Sequence, residues 1–161
     1  MYLPWPGGAA EAQPRMLELT TLMTRAAVRW LPIPHADDDR GTLTAIEGSA
    51  LPFEIRRIFY MHRVPAGRER GAHAHRYTQQ IVIATAGAFR MDVSDGIHTE
   101  TFELNDPNRG LYLPAMTWIR LYAFEPDTVA LVLCDRAYVP EHVVRDFDEY
   151  RDLLRESPLT A

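Results

Sequence analysis

The stretch RGAHAH, residues 70–75, sets two histidines one residue apart behind an arginine and a glycine. On a strand alternate side chains share a face, so His73 and His75 point the same way. Two imidazoles on one face can hold a metal, move protons or pack. Neutral imidazoles carry protons well because their pKa lies near working pH. A tight zinc, iron or manganese site needs three or four protein ligands, so the pair alone would bind weakly. Other candidates carry less. Asp37, Asp38 and Asp39 read as a solvated acidic loop, and His98 and His142 as surface residues. His62, one strand step from Tyr60, reads as structural. Ser94 has no histidine or oxyanion context. Cys134 is the single cysteine, inside the apolar run TVALVLCD, and reads as a packed thiol with no disulfide partner.

The chain that must position these residues has 161 of them, enough for one domain with a real core. With 47% hydrophobic and 24% charged residues it reads as an ordinary globular protein. A net charge of -5 argues against nucleic acid as partner, since phosphate backbones want a basic face. All 17 basic residues are arginine, which excludes a Schiff-base lysine mechanism. The most apolar early stretch, MLELTTLMTRAAVRWL, is broken by Glu18, Arg25 and Arg29. It fits neither a signal peptide nor a membrane span, so a cytoplasmic protein without membrane association is expected.

Residues 1–26 read as an extension, with helical spacing from Met16 onward, and residues 27–157 as one domain. From residue 28 short strand-like runs alternate with turns: VRWLPI, TLTAIE, EIRRIFYMHRV, QIVIAT, AFRMDV, HTETFEL, GLYLP, TWIRLYAF and TVALVLC. HADDDRG and VPAGRERG read as loops, and SDG at 94–96 as a hairpin turn. This pattern predicts an all-β antiparallel sandwich or small barrel. Trp118 and Tyr112 read as its core. Pro140 and the apolar spacing of Val143, Phe147, Tyr150 and Leu154 predict a helix from about 140 to 155.

The spacing of Gly67, His73, His75, Gln80 and Gly87 resembles the first metal-binding motif of the cupin superfamily, and Gly110 with Pro114 resembles part of the second. The resemblance implies a cupin jelly roll. Two of its ligand positions are altered: the carboxylate is Gln80 and the last histidine is Ile119. No bound metal is therefore expected.

More specifically, the chain resembles the WxcM-like sugar 3,4-ketoisomerases that act on dTDP-4-keto-6-deoxyglucose. The matching segments are Asp38 to Glu47, Pro52 to Tyr60, Arg70 to His75 with Gln80, Ser94 to Gly96, Gly110 to Pro114, Trp118, Val129 to Leu133 and Arg145 to Tyr150. The resemblance implies a homodimer with exchanged N-terminal strands, no cofactor and a dTDP-linked keto sugar as substrate. It implies catalytic roles for His73, His75 and Tyr60, with His75 the favoured base. Arg40, Arg57, Arg70 and Gln80 would then hold the diphosphate and sugar. One tension is visible. Arg57 and Tyr60 face opposite sides of a regular strand, so both serve one site only if a bulge intervenes or Arg57 acts on another face.

Departures from the family pattern are Ile119 after Trp118, Gln79 before Gln80, and CDRAYVPE at 134–141. They fall near the expected pocket. Two alternatives therefore stand beside ketoisomerisation: a cupin recruited for another cofactor-free isomerisation or cyclisation, and a nucleotide-sugar-binding cupin without chemistry.

Overall fold

The structure, a computed structural model, describes residues 27–156. The expected extension over residues 1–26 lies outside the described residues. In chain order the strands are β1 (Arg29–Pro32), β2 (His35–Asp38), β3 (Gly41–Thr44), β4 (Arg57–His62), β5 (Arg70–His75), β6 (Gln80–Ala86), β7 (Phe89–Ser94), β8 (Thr99–Leu104), β9 (Arg109–Leu113), β10 (Trp118–Tyr122), β11 (Val129–Cys134) and β12 (Val143–Val144), followed by the helix α1 (Phe147–Glu156). They form two antiparallel five-stranded sheets, in the orders β1-β9-β6-β11-β4 and β12-β5-β10-β7-β8, and a separate β2–β3 hairpin. The sandwich expected from the short alternating runs is thus observed.

The core lies between the two sheets, where the inward residues of each strand meet. Val82 and Ala84 of β6, Val132 of β11, and Leu111 and Leu113 of β9 pack against Phe89, Met91, Ile119 and Leu121 of the other sheet. Burying each large apolar side chain contributes about 1.5–3 kcal/mol, so this interface dominates the stability. The opposite face of the first sheet is also apolar. Ile46, Leu51, Phe53 and Ile55, from the segment before β4, cover Ile81, Ile83 and Leu133 there. This cover stops short of β4, whose Ile58 and Tyr60 stay 58% and 62% exposed.

Two local expectations need correction. HADDDRG is not a loop throughout: His35–Asp38 pairs with Gly41–Thr44 around a turn at Asp39 and Arg40. Asp38 accepts bonds from the Arg40 backbone and guanidinium, and Gly41 takes φ +123, so the acidic run itself closes the turn. The C-terminal helix starts at Phe147 rather than near 140. Pro140–His142 forms one 3-10 turn, and Val143 and Val144 then pair with His75 and Ala74 on the free edge of β5. A β-branched pair beside an open sheet edge favours strand over helix. Asp146 then caps α1, its Oδ1 accepting from the Glu149 backbone N–H at 2.8 Å.

The helix docks through Tyr150, whose side chain is fully buried. Its hydroxyl donates toward the carbonyls of Ser94, at 2.9 Å, and Met116, at 3.0 Å. Trp118 is half-buried on the outer face of its sheet, against Phe147 and Tyr150, and not in the core between the sheets, which corrects its expected place. Tyr112 is buried, but in the apolar cluster on the outer face of the first sheet.

Candidate active site

β5 carries the histidine pair and is irregular just before it. Against β10, His73 faces Ile119, but the next pair is Gly71 with Arg120, which leaves Ala72 as an extra residue. Gly71 and Ala72 take φ +85 and +53, the left-handed geometry of a bulge. Gly71 is required: a Cβ there would lie 2.9 Å from the Ile119 carbonyl. After the bulge the strand is regular, so His73 and His75 share the inner face as expected. Their ring centroids are 4.9 Å apart and the rings stand edge to face at 87°. The His75 backbone is tied down by the Met116 N–H, which donates to its carbonyl at 2.7 Å.

His73 forms one wall of a narrow cavity of about 40 Å³ with Phe59, Met61, Gln80, Ile119 and Val132. Apart from Gln80, whose amide reaches the Cys134 thiol at 3.7 Å, these walls are apolar. His75 lies one step nearer the strand end and is only 9% exposed.

Burial first, then the positive field of His73, Arg57 and Arg145, pushes the His75 pKa down to about 4. Burial lowers His73 as well; the Gly71 backbone opposes this in part and Arg145 adds to it. The Nδ1 of His73 is buried with no partner at hydrogen-bond geometry. Both imidazoles are therefore neutral at pH 7, each with a lone pair to accept a proton. Burial likewise holds the Cys134 thiol up, which makes it a packed group rather than a nucleophile.

The other expected site residues divide. Gln80 is buried on the inner face. Arg57 is inward too, with its guanidinium 4.4 Å from the Phe59 ring and 4.7 Å from the Tyr138 ring. Tyr60 is not brought to the histidines, and this corrects its expected catalytic place. The β4–β11 register runs unbroken from Arg57↔Cys134 to His62↔Val129, so no bulge intervenes. Alternation then turns Arg57, Phe59 and Met61 inward and Ile58, Tyr60 and His62 outward. The ring that lines the cavity from this strand is Phe59, which has no hydroxyl. Arg40 pairs with Asp38 at the hairpin turn, on an element that joins neither sheet. Arg70 opens β5 on its exposed side. Neither arginine has a contact with the histidine pair.

Two groups beside the site escaped the motif reading. Tyr138 sits next to Arg57, and Arg145 donates from Nη2 to the Tyr138 hydroxyl at 3.2 Å. The signal was available in part: Arg145 directly follows Val143-Val144, a strand pair that helical spacing masked.

The sequence matches the family model for FdtA, described as "WxcM-like, C-terminal", over residues 26–155. The chain belongs to the WxcM-like family. Within it, a similar curated protein is the TDP-4-oxo-6-deoxy-alpha-D-glucose-3,4-oxoisomerase of Aneurinibacillus thermoaerophilus. It is 31% identical over 71% of this chain and 83% of its own length. A 3,4-ketoisomerase from Helicobacter canadensis shares 32% identity with a TM-score of 0.77, covering 80% of this chain and 97% of its own. The 3,4-ketoisomerase QdtA of Thermoanaerobacterium thermosaccharolyticum, solved as a histidine-to-asparagine variant with TDP-4-keto-6-deoxyglucose, shares 30% identity. Its TM-score is 0.79, over 82% of this chain and 96% of that one. This WxcM-like chain therefore has the cupin-like fold of sugar 3,4-ketoisomerases, in agreement with the resemblance seen in its motifs.

Proposed function

We propose that this chain moves the keto group of a TDP-4-keto-6-deoxyhexose from C4 to C3 by acid–base chemistry. The observation that carries this reading is the pair of neutral imidazoles on one face, 4.9 Å apart, with guanidinium groups beside them. The reaction needs one C–H deprotonation, an enediol and reprotonation at the neighbouring carbon. His75 takes the proton from C3 and returns it to C4. His73 moves the hydroxyl proton from O3 to O4, a role that Tyr60, on the outer face, leaves to it. Arg57 holds the substrate, while Gln80, inside the cavity with its amide on the Cys134 thiol, walls the pair. Ligand pockets span about 300–1,000 Å³, so a cavity of about 40 Å³ is too small for a hexose. The sugar therefore sits at the mouth beside His75, and the cavity only walls the pair.

The working unit in this reading is a cytoplasmic homodimer. Leu43 on the β2–β3 hairpin and Ile58 and Tyr60 on β4 are large side chains 65%, 58% and 62% exposed. A second copy would cover them. Arg40, on the projecting hairpin, would then meet substrate across the dimer, and Arg70 from its own subunit.

The direct test is incubation with TDP-4-keto-6-deoxyglucose, followed by NMR of the sugar carbons. A 3-keto product is expected, formed equally well in EDTA because Gln80 and Ile119 replace two ligand positions of a metal cupin. Tight TDP binding with no product would leave a binding protein, and no TDP affinity would sink the sugar reading.

A further inference from the structure

Arg57 lies on β4 and Arg145 directly after β12, edge strands of opposite sheets, and both meet Tyr138. The Tyr138 ring takes Arg57 at 4.7 Å, and its hydroxyl accepts from Arg145 at 3.2 Å. The antiparallel register of β12 sets Val143 against His75 and Val144 against Ala74. Arg145 follows the last paired residue, and its charge acts on both His73 and His75. Among the described residues neither arginine has a carboxylate partner. Asp146, next in sequence, is turned to the helix cap instead.

We propose that Tyr138 and Arg145 belong to the active site: with Arg57 they form a cationic strap across its mouth that takes the negative charge of the enediolate. The proposal rests on the ketoisomerase reading and adds residues which that reading does not use. When the C3–H bond breaks, its proton goes to His75 and its electron pair forms the C3–C4 double bond. The carbonyl π pair moves onto O4, which becomes the oxyanion. O4 is one bond from a carbon that bonds the reacting centre, so a cation serving it must lie beside the base. The arginines meet this condition. The charged groups acting on His75 are His73 from its own strand, Arg57 from β4 and Arg145 beyond β12, and no carboxylate acts on either imidazole. Cys134 of β11 stands behind Arg57 as a thiol. Two cations without a counter-ion beside two neutral bases raise the energy of the empty site and lower that of an anion formed there. Arg145 touches the reacting oxygen; Tyr138 positions it.

The substrate diphosphate is the competing anion, and kinetics separate the two. Arg145 and Tyr138 are exposed, so their variants keep the fold. Arg145→Gln should lower kcat by roughly 10²-fold, the scale of one lost oxyanion contact, with TDP affinity within about threefold. Arg145→Lys should recover part of the loss because it keeps the charge. Tyr138→Phe, which frees Arg145 but keeps the ring under Arg57, should give a smaller fall in kcat. Without substrate, the NMR titration of His75 should move upward in Arg145→Gln. An unchanged kcat would overturn the proposal. So would TDP affinity weakening in step with kcat/KM at constant kcat, which would make Arg145 a diphosphate ligand. Should the wild type convert no TDP-keto sugar, the ketoisomerase reading fails by itself. The His75 titration then decides the strap: an upward shift supports it and an unmoved titration overturns it.

Discussion

At the scale of single residues, the free protein carries its base ready. Burial and the adjacent cations hold His75 near 4, so the imidazole is unprotonated above about pH 5. The acid limb of kcat/KM, which reports the free enzyme, should therefore lie well below the ordinary histidine value of about 6.5. A kcat/KM limb at 6.5 would contradict the assigned base. Tyr60 gives a second check. Proton-transfer groups contribute roughly 10²–10⁴-fold, so Tyr60→Phe should change kcat far less than His75→Asn. An equal loss would show that its phenol reaches the reacting carbons after all. The histidines were legible because H-x-H has one outcome on a strand, a shared face. Tyr60 was misplaced for the same parity: an odd step from Arg57 on an unbroken strand must cross the sheet. Tyr138 and Arg145 were legible only within their segments, CDRAYVPE near the expected pocket and Arg145 to Tyr150 in the family match, because only the closure of two sheets brings their side chains together at the mouth.

At the scale of elements, the bulge in β5 decides where the histidines point. Gly71 has φ +85 and no room for a Cβ beside the Ile119 carbonyl. Gly71→Ala should cost about 1–3 kcal/mol, seen as a lower urea midpoint, and should lower kcat by displacing His73. Unchanged stability and turnover would mean that the bulge does not set the pair. The strands themselves were readable from alternation and turn residues. The helix start was not, because Val143 and Phe147 fit helical spacing while β5 offered an open edge that Val143 and Val144 fill. Nor was the β2 strand, whose four exposed residues carry no apolar alternation and pair only because Asp38 and Gly41 close the turn.

At the scale of the whole molecule, the buried neutral histidines couple folding to pH. Their folded pKa values are depressed, so as pH falls below about 6.5 the unfolded chain binds protons that the fold refuses. Stability should fall between about 6.5 and 4, by up to roughly 3 kcal/mol from His75 alone. Asp38, Asp92 and Asp95, also held below their ordinary value, release their share only under that range, below 3.8. Urea midpoints at pH 7 and 4.5 check this, and His75→Asn should flatten the difference. A slope equally steep in the variant would place the coupling elsewhere. The exposed side chains of Leu43 on the hairpin and Ile58 and Tyr60 on β4 predict a dimer in light scattering at micromolar concentration; a monomer would remove the proposed route for Arg40 into a site. The central claim is a proton passed between adjacent carbons by His75, and solvent isotope tests it most directly. In deuterated water the wild type should place deuterium at C3 or C4 of TDP-4-keto-6-deoxyglucose, while His75→Asn binds TDP and exchanges none. Exchange in the variant at the wild-type rate, or product formed without any deuterium in the wild type, would contradict it.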